Sequence, residues 1–329
     1  MTVAEVIKPG LLTTLQDGGR LGYAHLGIGR SGAFDAPALR IANALCGNPR
    51  DACGLEITLL GATLRFHADV WIAVTGAPLP IVIGGFDMPV WAPLPVRAGA
   101  TVTLGAIRAG CRSYLAVHGG FDVQPVLGSR STDVNAALGP RDGRALRAGD
   151  RLALVARNAG PDAAGSIAIP KWWLDPRPWF DDDPQRPLRL LPGSHLDNLT
   201  DTSRKLLFSQ AFTVQADSNR VGLRLVGPKL EWKAPIEMIS EGCIPGLLQL
   251  PPSGQPIAFG PECPVSGGYP RIGQIAAIDI PLLAQRRPGD TVRFTPCTLD
   301  DALQTLYRRE RALQKLETFI EKRLQKGLQ

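Results

Sequence analysis

The stretch Ser266-Gly267-Gly268-Tyr269-Pro270-Arg271 is one of two glycine-dense segments that lie far apart in the chain. The other runs from Gly18-Gly19-Arg20 to Ser31-Gly32-Ala33-Phe34-Asp35. Glycine tolerates positive φ and lets the backbone approach a ligand, so both segments are typical of loops that line a pocket. Corners of a β-barrel also need glycine, and for glycine alone a corner is the commoner explanation. The arginine in each segment favours an anionic ligand, because its planar fork matches a carboxylate or a phosphate.

Short apolar runs rich in valine, isoleucine and leucine occupy much of the remaining chain, for example 70–75, 114–118 and 275–280. Glycine, proline and aspartate separate these runs, and the 36 glycines and 29 prolines require frequent turns. This pattern is typical of sandwiches and barrels with many short strands. The sequence therefore predicts a mainly β fold.

Two segments predict helices. Asp35 is a candidate N-cap, with Pro37 in the first turn and Gly47 where the apolar face ends. The second segment begins at Thr298, and Asp301 stands three residues later, as in a capping box. Leucines at helical spacing follow, with arginine and lysine on the opposite side, so the sequence predicts an amphipathic helix over 298–329.

Composition predicts where the domains begin and end. The stretch 158–187 is dense in proline, tryptophan and aspartate and poor in apolar periodicity, which is typical of a linker. We therefore expect one β domain at 1–157 and a second at 188–297, followed by the C-terminal helix.

Two pairs of segments indicate an internal duplication. The segment Arg147-Ala148-Gly149-Asp150-Arg151-Leu152 is similar to Arg287-Pro288-Gly289-Asp290-Thr291-Val292, and 60–66 is similar to 226–232. These similarities predict two related β domains. A Gly-Asp pair before a strand is also common turn chemistry, so chance similarity stays an alternative.

Charge and composition exclude several classes of protein. The formal net charge is +6, but the basic residues are spread along most of the chain, and aromatic residues make up 6% without alternating with basic ones. This distribution does not favour nucleic acid as a partner. A membrane is not an expected partner either, since no apolar run approaches the length of a membrane span. The six cysteines form no Cys-x-x-Cys pair, and the start of the chain lacks the pattern of a signal peptide. We expect a cytoplasmic protein with reduced thiols and no metal site.

Ten short segments together point to a known family, and they occur in the family's order along the chain: 15–23, 31–35, 42–43, 47–48, 55–58, 119–122, 127–132, 218–222, 240–242 and 267–272. In this order they resemble the allophanate hydrolase subunit 2 family, also called the KipA family or the family of the 5-oxoprolinase C subunit. The resemblance implies two cyclophilin-like β-barrel domains with a few short helices. It also implies a partner, a homologue of the 5-oxoprolinase B subunit or of allophanate hydrolase subunit 1, with which this chain builds a joint site.

The resemblance implies three possible functions. In bacterial 5-oxoprolinase, similar subunits act together with a third component, the A-type subunit. The complex is a hydrolase that uses ATP to open 5-oxoproline to glutamate. In biotin-dependent urea carboxylase, similar domains transfer a carboxyl group to a small amide. A KipA-like protein instead binds and regulates a kinase inhibitor. The chain has no Walker loop and no recognisable biotin-attachment domain, so ATP is expected to be bound mostly outside this chain, and 5-oxoprolinase is favoured.

One departure from the family concerns the residues before the second glycine pair. Most members have Asp-Arg-Gln-Thr-Thr, where this chain has Glu262-Cys263-Pro264-Val265-Ser266. The carboxylate is kept in Glu262, which we predict to be catalytic, as a base or as a group that orients an amide N–H. A turn carboxylate capped by backbone amides is the alternative. Pro264 stands where the family has glutamine, which removes two donors and an acceptor and favours a changed substrate.

The other predicted site residues bind a small-molecule amide substrate. Arg20 and Arg271 are candidates for recognising a carboxylate or phosphate, and Ser31 and Tyr269 for hydrogen bonds to the amide. Family positions add the rest of the predicted set: Gly32, Asn43, Glu56, Ser266, Gly267 and Gly268. For the buried-type residues among them, Asn43 and Glu56, the alternative is that each satisfies backbone groups in the core.

Overall fold

The computed structural model describes residues 3–155, 172–181, 183 and 185–326. Much of the predicted linker, 158–171 with 182 and 184, lies outside the described residues. Contacts group the chain into two compact units: the first is Met1–Gly19, Asp35–Asp181 and Arg311–Gln329, and the second is Arg20–Phe34 and Asp182–Glu310. The first glycine-dense segment therefore belongs largely to the second unit. The predicted boundaries at 157 and 188 stay a prediction.

The first unit is built from two antiparallel sheets. Its strands are β1 (Val3–Lys8), β2 (Leu12–Gln16), β3 (Gly54–Thr58), β4 (Thr63–Phe66), β5 (Val70–Gly76), β6 (Ile81–Ile83), β7 (Phe86–Met88), β8 (Pro93–Val96), β9 (Thr101–Leu104), β10 (Arg112–Val117) and β11 (Arg151–Ala153). Six strands pair in the order β11-β1-β4-β9-β6-β7, and five in the order β2-β3-β10-β5-β8. Two helices complete it: α1 (Ala36–Leu45) and the single turn α2 (Pro140–Gly143).

Strand β10 shows how this unit is layered, since all its residues are buried. Leu115 and Val117 belong to the core between the sheets, whereas Ala116 packs on the other face with Ile41 of α1. Successive residues of a strand point to opposite faces, so burial at every position requires that both faces be covered. The helix α1 supplies the outer cover.

The second unit contains one large sheet and a small ribbon. Its strands are β12 (Leu188–Pro192), β13 (Phe212–Val214), β14 (Gly222–Val226), β15 (Glu241–Gly242), β16 (Leu247–Gln249), β17 (Ile257–Phe259), β18 (Ser266–Gly267), β19 (Arg271–Ile275), β20 (Thr291–Val292) and β21 (Phe294–Pro296). Eight strands pair in the order β20-β13-β14-β17-β16-β19-β12-β21, and β15 pairs with β18. Only Arg293 separates the edge strands β20 and β21 along the chain. The sheet is therefore a nearly closed barrel.

Three further helices are α3 (Asp201–Ser209), α4 (Ile280–Ala284) and α5 (Leu299–Lys326), and the predicted mainly β fold with a long C-terminal helix is confirmed. Both predicted N-caps are confirmed as well. The Ala38 N–H donates to Asp35 Oδ1 (3.1 Å), and the Asp301 N–H donates to Thr298 Oγ1 (3.2 Å). Among the described residues no helix is long and apolar enough to cross a membrane.

The predicted strand over 275–280 is wrong. Strand β19 ends at Ile275, and a 3₁₀ turn (Ala277–Asp279) leads directly into α4. Pro281 stands in the first turn of α4, where its missing N–H costs nothing. The Asp279 carboxylate is buried and accepts hydrogen bonds from the backbone N–H and the guanidinium of Arg189, which holds the turn in place. The apolar run is thus the buried side of a turn and a helix rather than a strand.

The two Arg-x-Gly-Asp turns share one hydrogen-bond pattern. Asp150 accepts from the Arg147 N–H (2.8 Å) through its side chain and donates its own N–H to the Arg147 carbonyl (3.1 Å). Asp290 makes the same two bonds with Arg287, at 2.8 and 3.0 Å. The carbonyl of each aspartate also accepts an N–H, from β1 in the first unit and from β13 in the second. This agreement supports the duplication. The segments 60–66 and 226–232 do not correspond, because β4 follows Gly61 whereas β14 precedes Gly227.

Asp150 should make the stability of the first unit depend on acid pH. Arg144 Nη1 and Nη2 donate hydrogen bonds to the Asp150 carboxylate (2.8 and 2.9 Å). These bonds hold the pKa of Asp150 well below its ordinary 3.8. A carboxylate whose pKa is lowered on folding stabilises the fold above its unfolded pKa and loses that contribution as the pH falls. We expect Asp150→Asn to destabilise the first unit at pH 7 and to differ progressively less from wild type below pH 4. Urea unfolding across that range measures this; a constant difference would contradict it.

All six cysteines are free thiols, and Cys297 is the most exposed of them. Burial raises the pKa of Cys263 to about 12 and raises those of Cys46 and Cys53 further. Since the thiolate is the reactive form, we expect iodoacetamide to modify Cys297 in the native protein at least about tenfold faster than Cys263. Peptide mass spectrometry after timed labelling measures this rate, and equal rates at the two thiols would contradict it.

Candidate functional site

The second glycine-dense segment forms one strand of the β15–β18 ribbon in the second unit. Glu241 lies opposite Gly267, and Gly242 opposite Ser266. A Cβ on Gly267 would meet Cys243 Sγ and the amide nitrogen of the buried Gln249 at 3.1 Å, so a side chain there would require these neighbours to shift by a few tenths of an ångström. This close approach explains one of the two glycines on structural grounds.

Arg271 is the first residue of β19 and is partly exposed, with 23% of its side chain accessible. Its Nη2 contacts Glu241 Oε2 at 2.7 Å, so the guanidinium is paired with the ribbon. Within the described part of the chain its Nε is buried and makes no hydrogen bond. Tyr269, two residues earlier, is 45% exposed. Binding of an anionic ligand by these two side chains stays a prediction.

His195 supports the backbone of Arg271 and was not predicted. The ring Nδ1 of His195 accepts a hydrogen bond from the backbone N–H of Arg271 (3.2 Å). The backbone N–H of His195 donates to the backbone carbonyl of Arg271 (3.0 Å). Because Nδ1 must carry no proton in order to accept this bond, the neutral ring has its proton on Nε2. No spacing in the sequence relates His195 to Arg271, whereas Glu241 lay in a segment that carries the family resemblance.

The first glycine-dense segment turns sharply at Ser31 and Gly32, which have φ values of +54° and +99°. The Ser31 N–H donates to the Pro261 carbonyl (2.9 Å), and Arg220 Nη2 donates to the Gly32 carbonyl (2.6 Å). Ser31 and Gly32 therefore lie beside the loop that contains Glu262, and their binding of substrate stays a prediction.

Glu262 is buried and paired with Arg220. Arg220 Nε donates to Glu262 Oε1 (2.5 Å), and the Glu262 N–H donates to the Arg220 carbonyl (3.1 Å). Only 1% of the Glu262 side chain and 3% of the Arg220 side chain are accessible. Arg220 was not predicted as a site residue, although it lay in the segment 218–222 that carries the resemblance. Arg20 is likewise buried in the second unit, at 2% exposure.

Glu56 lies on β3 in the core of the first unit. It accepts a hydrogen bond from the Tyr114 hydroxyl (2.8 Å), and Arg112 Nε lies 3.5 Å from its other oxygen. The Tyr114 hydroxyl in turn accepts the N–H of Asp35, the N-cap of α1 (2.7 Å). Burial, followed by the nearby Glu56 carboxylate, raises the pKa of Tyr114 well above its ordinary value, so the phenol keeps its proton. These contacts support the start of α1.

Asn43 also has its contacts inside the first unit. Its Nδ2 donates to the Ala52 carbonyl (2.7 Å), and its Oδ1 accepts from Asn48 Nδ2 (3.2 Å). It therefore fixes the loop that follows α1, which is the structural alternative for this residue. Binding of substrate by Asn43 and Glu56 stays a prediction.

Asp17 organises a hydrogen-bond cluster that the sequence did not predict. Its Oδ1 accepts from the hydroxyls of Ser129 and Ser131, each at 2.6 Å. The Gly19 N–H (2.8 Å) and the Arg130 N–H (2.5 Å) complete the set of donors. The cluster joins the segments 15–23 and 127–132, both of which carry the family resemblance.

The structure divides the predicted site residues between the two units. The first unit contains Asn43 and Glu56; the second contains Arg20, Ser31, Gly32, Glu262, Ser266, Gly267, Gly268, Tyr269 and Arg271. In the described ranges no group of three or more histidines, cysteines and carboxylates could hold a metal ion.

Comparison with known proteins agrees with the family resemblance drawn from the sequence. Residues 26–296 match the family model described as "Carboxyltransferase domain, subdomain A and B". The chain is 38% identical to the 5-oxoprolinase C subunit of Escherichia coli (strain K12), over 95% of this chain and 97% of that protein. It is 34% identical to the 5-oxoprolinase C subunit of Haemophilus influenzae, over 94% and 96%.

Among solved structures, the Kluyveromyces lactis urea carboxylase matches with a TM-score of 0.84 and 28% identity over 94% of this chain. This chain spans 29% of that larger one. The resemblance to the family of the 5-oxoprolinase C subunit is thus confirmed, and the chain belongs to the carboxyltransferase domain family with subdomains A and B.

Proposed function

We propose that this chain is the C subunit of a 5-oxoprolinase, a hydrolase that opens 5-oxoproline to glutamate. The observation that carries this proposal is the end-to-end match to the Escherichia coli relative, 97% of which is covered. By contrast, the chain covers 18% of the urea amidolyase of Saccharomyces cerevisiae, which is a much longer protein. The match therefore spans nearly the whole of the 5-oxoprolinase subunit but only a small part of the urea amidolyase.

The proposed reaction breaks the lactam C–N bond of 5-oxoproline. Resonance makes that bond unreactive, so its carbonyl must be activated, and ATP can do this by phosphorylating the amide oxygen with release of ADP. A first water then adds to the activated carbon, and the C–N bond breaks as the amine leaves with a proton, which gives an acyl phosphate. A second water hydrolyses the acyl phosphate to the carboxylate and phosphate. The sum is 5-oxoproline, ATP and two waters to glutamate, ADP and phosphate. We propose that Arg271 binds the substrate carboxylate and that Tyr269 and Ser31 are hydrogen-bond partners of the amide.

The first glycine-dense segment, all of which the structure describes, does not form a familiar nucleotide site. Strand β2 leads into Gly18 and Gly19, but the next α-helix begins only at Ala36. A phosphate-binding loop places its glycines directly before a helix N-terminus. We therefore place most of the ATP site on the partners, an A-type third component and a homologue of the B subunit, in a cytoplasmic complex.

A second candidate is carboxyl transfer from biotin to a small amide. The match to the carboxyltransferase family model and to the Kluyveromyces lactis structure favours it. Both chemistries need a cation and hydrogen-bond donors around a planar amide. In this candidate we propose that biotin is carried outside residues 1–329.

The test is ATP-dependent release of glutamate from 5-oxoproline by the chain co-purified with its partner and third component. We expect glutamate only when all components and ATP are present. An intact complex that releases no glutamate would overturn the proposal, and carboxylation of an amide by added carboxybiotin would then support the second candidate.

A further inference from the structure

The turn at Ser31 holds a non-glycine residue in the left-handed region, with φ of +54°. This conformation is disfavoured for side chains with a Cβ, and Gly32, at +99°, continues it. Such a turn persists only where its surroundings fix it. Those surroundings therefore decide where Ser31 and Gly32 present their polar groups.

Two hydrogen bonds from the 220–262 region fix the turn. The Pro261 carbonyl accepts the Ser31 N–H at 2.9 Å. On the other side, Arg220 Nη2 donates to the Gly32 carbonyl at 2.6 Å. Both ends of the strained pair are thus held by buried groups of the second unit.

Arg220 is itself held by Glu262 and by close backbone packing. Its Nε donates to Glu262 Oε1 at 2.5 Å, and both side chains are almost completely buried. A Cβ on Gly260 would lie 2.3 Å from the Arg220 carbonyl oxygen, so the backbone at 260 packs directly against the backbone of Arg220 and leaves no space for a side chain. A buried guanidinium requires a charged partner, and Glu262 supplies it.

We infer that Arg220 and Glu262 form a buried clamp that positions the turn at Ser31 and Gly32, and that Glu262 is a positioning residue rather than the base. The inference rests on the proposed function only in that 5-oxoproline is taken as the substrate that binds at this turn. A base needs an oxygen facing the proton that it removes. Glu262 instead directs Oε1 at a guanidinium and exposes 1% of its side chain.

Four variants separate the two roles. Glu262→Gln keeps an oxygen that can accept from Arg220 but cannot act as a base, whereas Glu262→Ala and Arg220→Met each remove one half of the clamp. The fourth variant combines Arg220→Met with Glu262→Met and removes both charges. It leaves no unpaired charge in the core, so it shows whether an unpaired charge alone accounts for the effect of a single variant. The matched control is Arg224→Met, because Arg224 makes an exposed ion pair with Asp217 at 2.9 Å.

For the clamp we expect kcat/KM of the complex to fall about 100-fold in Glu262→Ala and Arg220→Met, since displaced groups cost about that much. Glu262→Gln should stay within about tenfold of wild type and keep its pH profile, and the double variant should lose no more than Arg220→Met. A loss of about 100-fold or more in Glu262→Gln, with a changed pH profile, would overturn the inference and identify Glu262 as the base.

Hydrogen exchange in the full chain tests the clamp without any activity. We expect the Ser31 amide to exchange at least about tenfold faster in Arg220→Met and to be unchanged in Arg224→Met. Unchanged exchange in Arg220→Met would overturn the clamp. A wild-type complex that forms no glutamate while the exchange behaves as expected would overturn only the proposed function.

Discussion

Replacing Asp17 with alanine is expected to lower the free energy of unfolding of the first unit by about 4 kcal/mol. The carboxylate accepts from two hydroxyls and two backbone N–H groups, and the residue is 7% exposed. Each buried donor left without a partner costs about 1–3 kcal/mol, and water entering the space recovers part of the sum. Urea unfolding, followed by hydrogen exchange in strands of the first unit, measures the change.

Asp69→Ala is the matched control for this prediction. Asp69 also accepts a backbone N–H, from Ala98 at 2.7 Å, and pairs with Arg97 at 2.9 Å, but 52% of its side chain is exposed. Because water replaces both partners, we expect a loss below about 1 kcal/mol. Equal losses in the two variants would show that the Asp17 cluster contributes no more than a surface pair.

The parts of the fold that the sequence predicts correctly depend on local chemistry. Asp35 and Thr298 were predicted as N-caps because their side chains reach amides three residues away. The Arg-x-Gly-Asp turns were also visible, since the aspartate closes its own turn. In each case the partners lie within one turn of chain, so residue types alone carry the information.

The contacts that shape the candidate site lie far apart in sequence. Arg220 and Glu262 are separated by 42 residues, and Asp17 and Ser131 by 114. Which side chains meet across such distances depends on strand order and register, and the sequence pattern specifies neither. Glu262 could be chosen because it stands where the family has aspartate, but its partner Arg220, and with it the positioning role, could be identified only from the fold.

Replacing Arg271 with methionine is expected to reduce kcat/KM for 5-oxoproline about 100- to 1000-fold, mostly through KM. The proposed substrate carries one carboxylate, and Arg271 is the partly exposed cation of the predicted site, paired on one side with Glu241. Arg271→Lys should recover only part of the loss, because an ammonium provides a point charge instead of a planar fork. Arg204→Met serves as the control: Arg204 is also ion-paired, with Asp197 at 2.9 Å, and is 44% exposed.

The substrate carboxylate itself offers the sharper test of Arg271. The unsubstituted lactam 2-pyrrolidinone has the same amide without the carboxylate, so Arg271 should contribute nothing to its recognition. Wild type and Arg271→Met should then turn over this lactam equally slowly, or bind it equally weakly as an inhibitor. If the variant is impaired to the same extent with both lactams, Arg271 acts on the fold or on the amide, and the assignment of the carboxylate to this side chain is wrong.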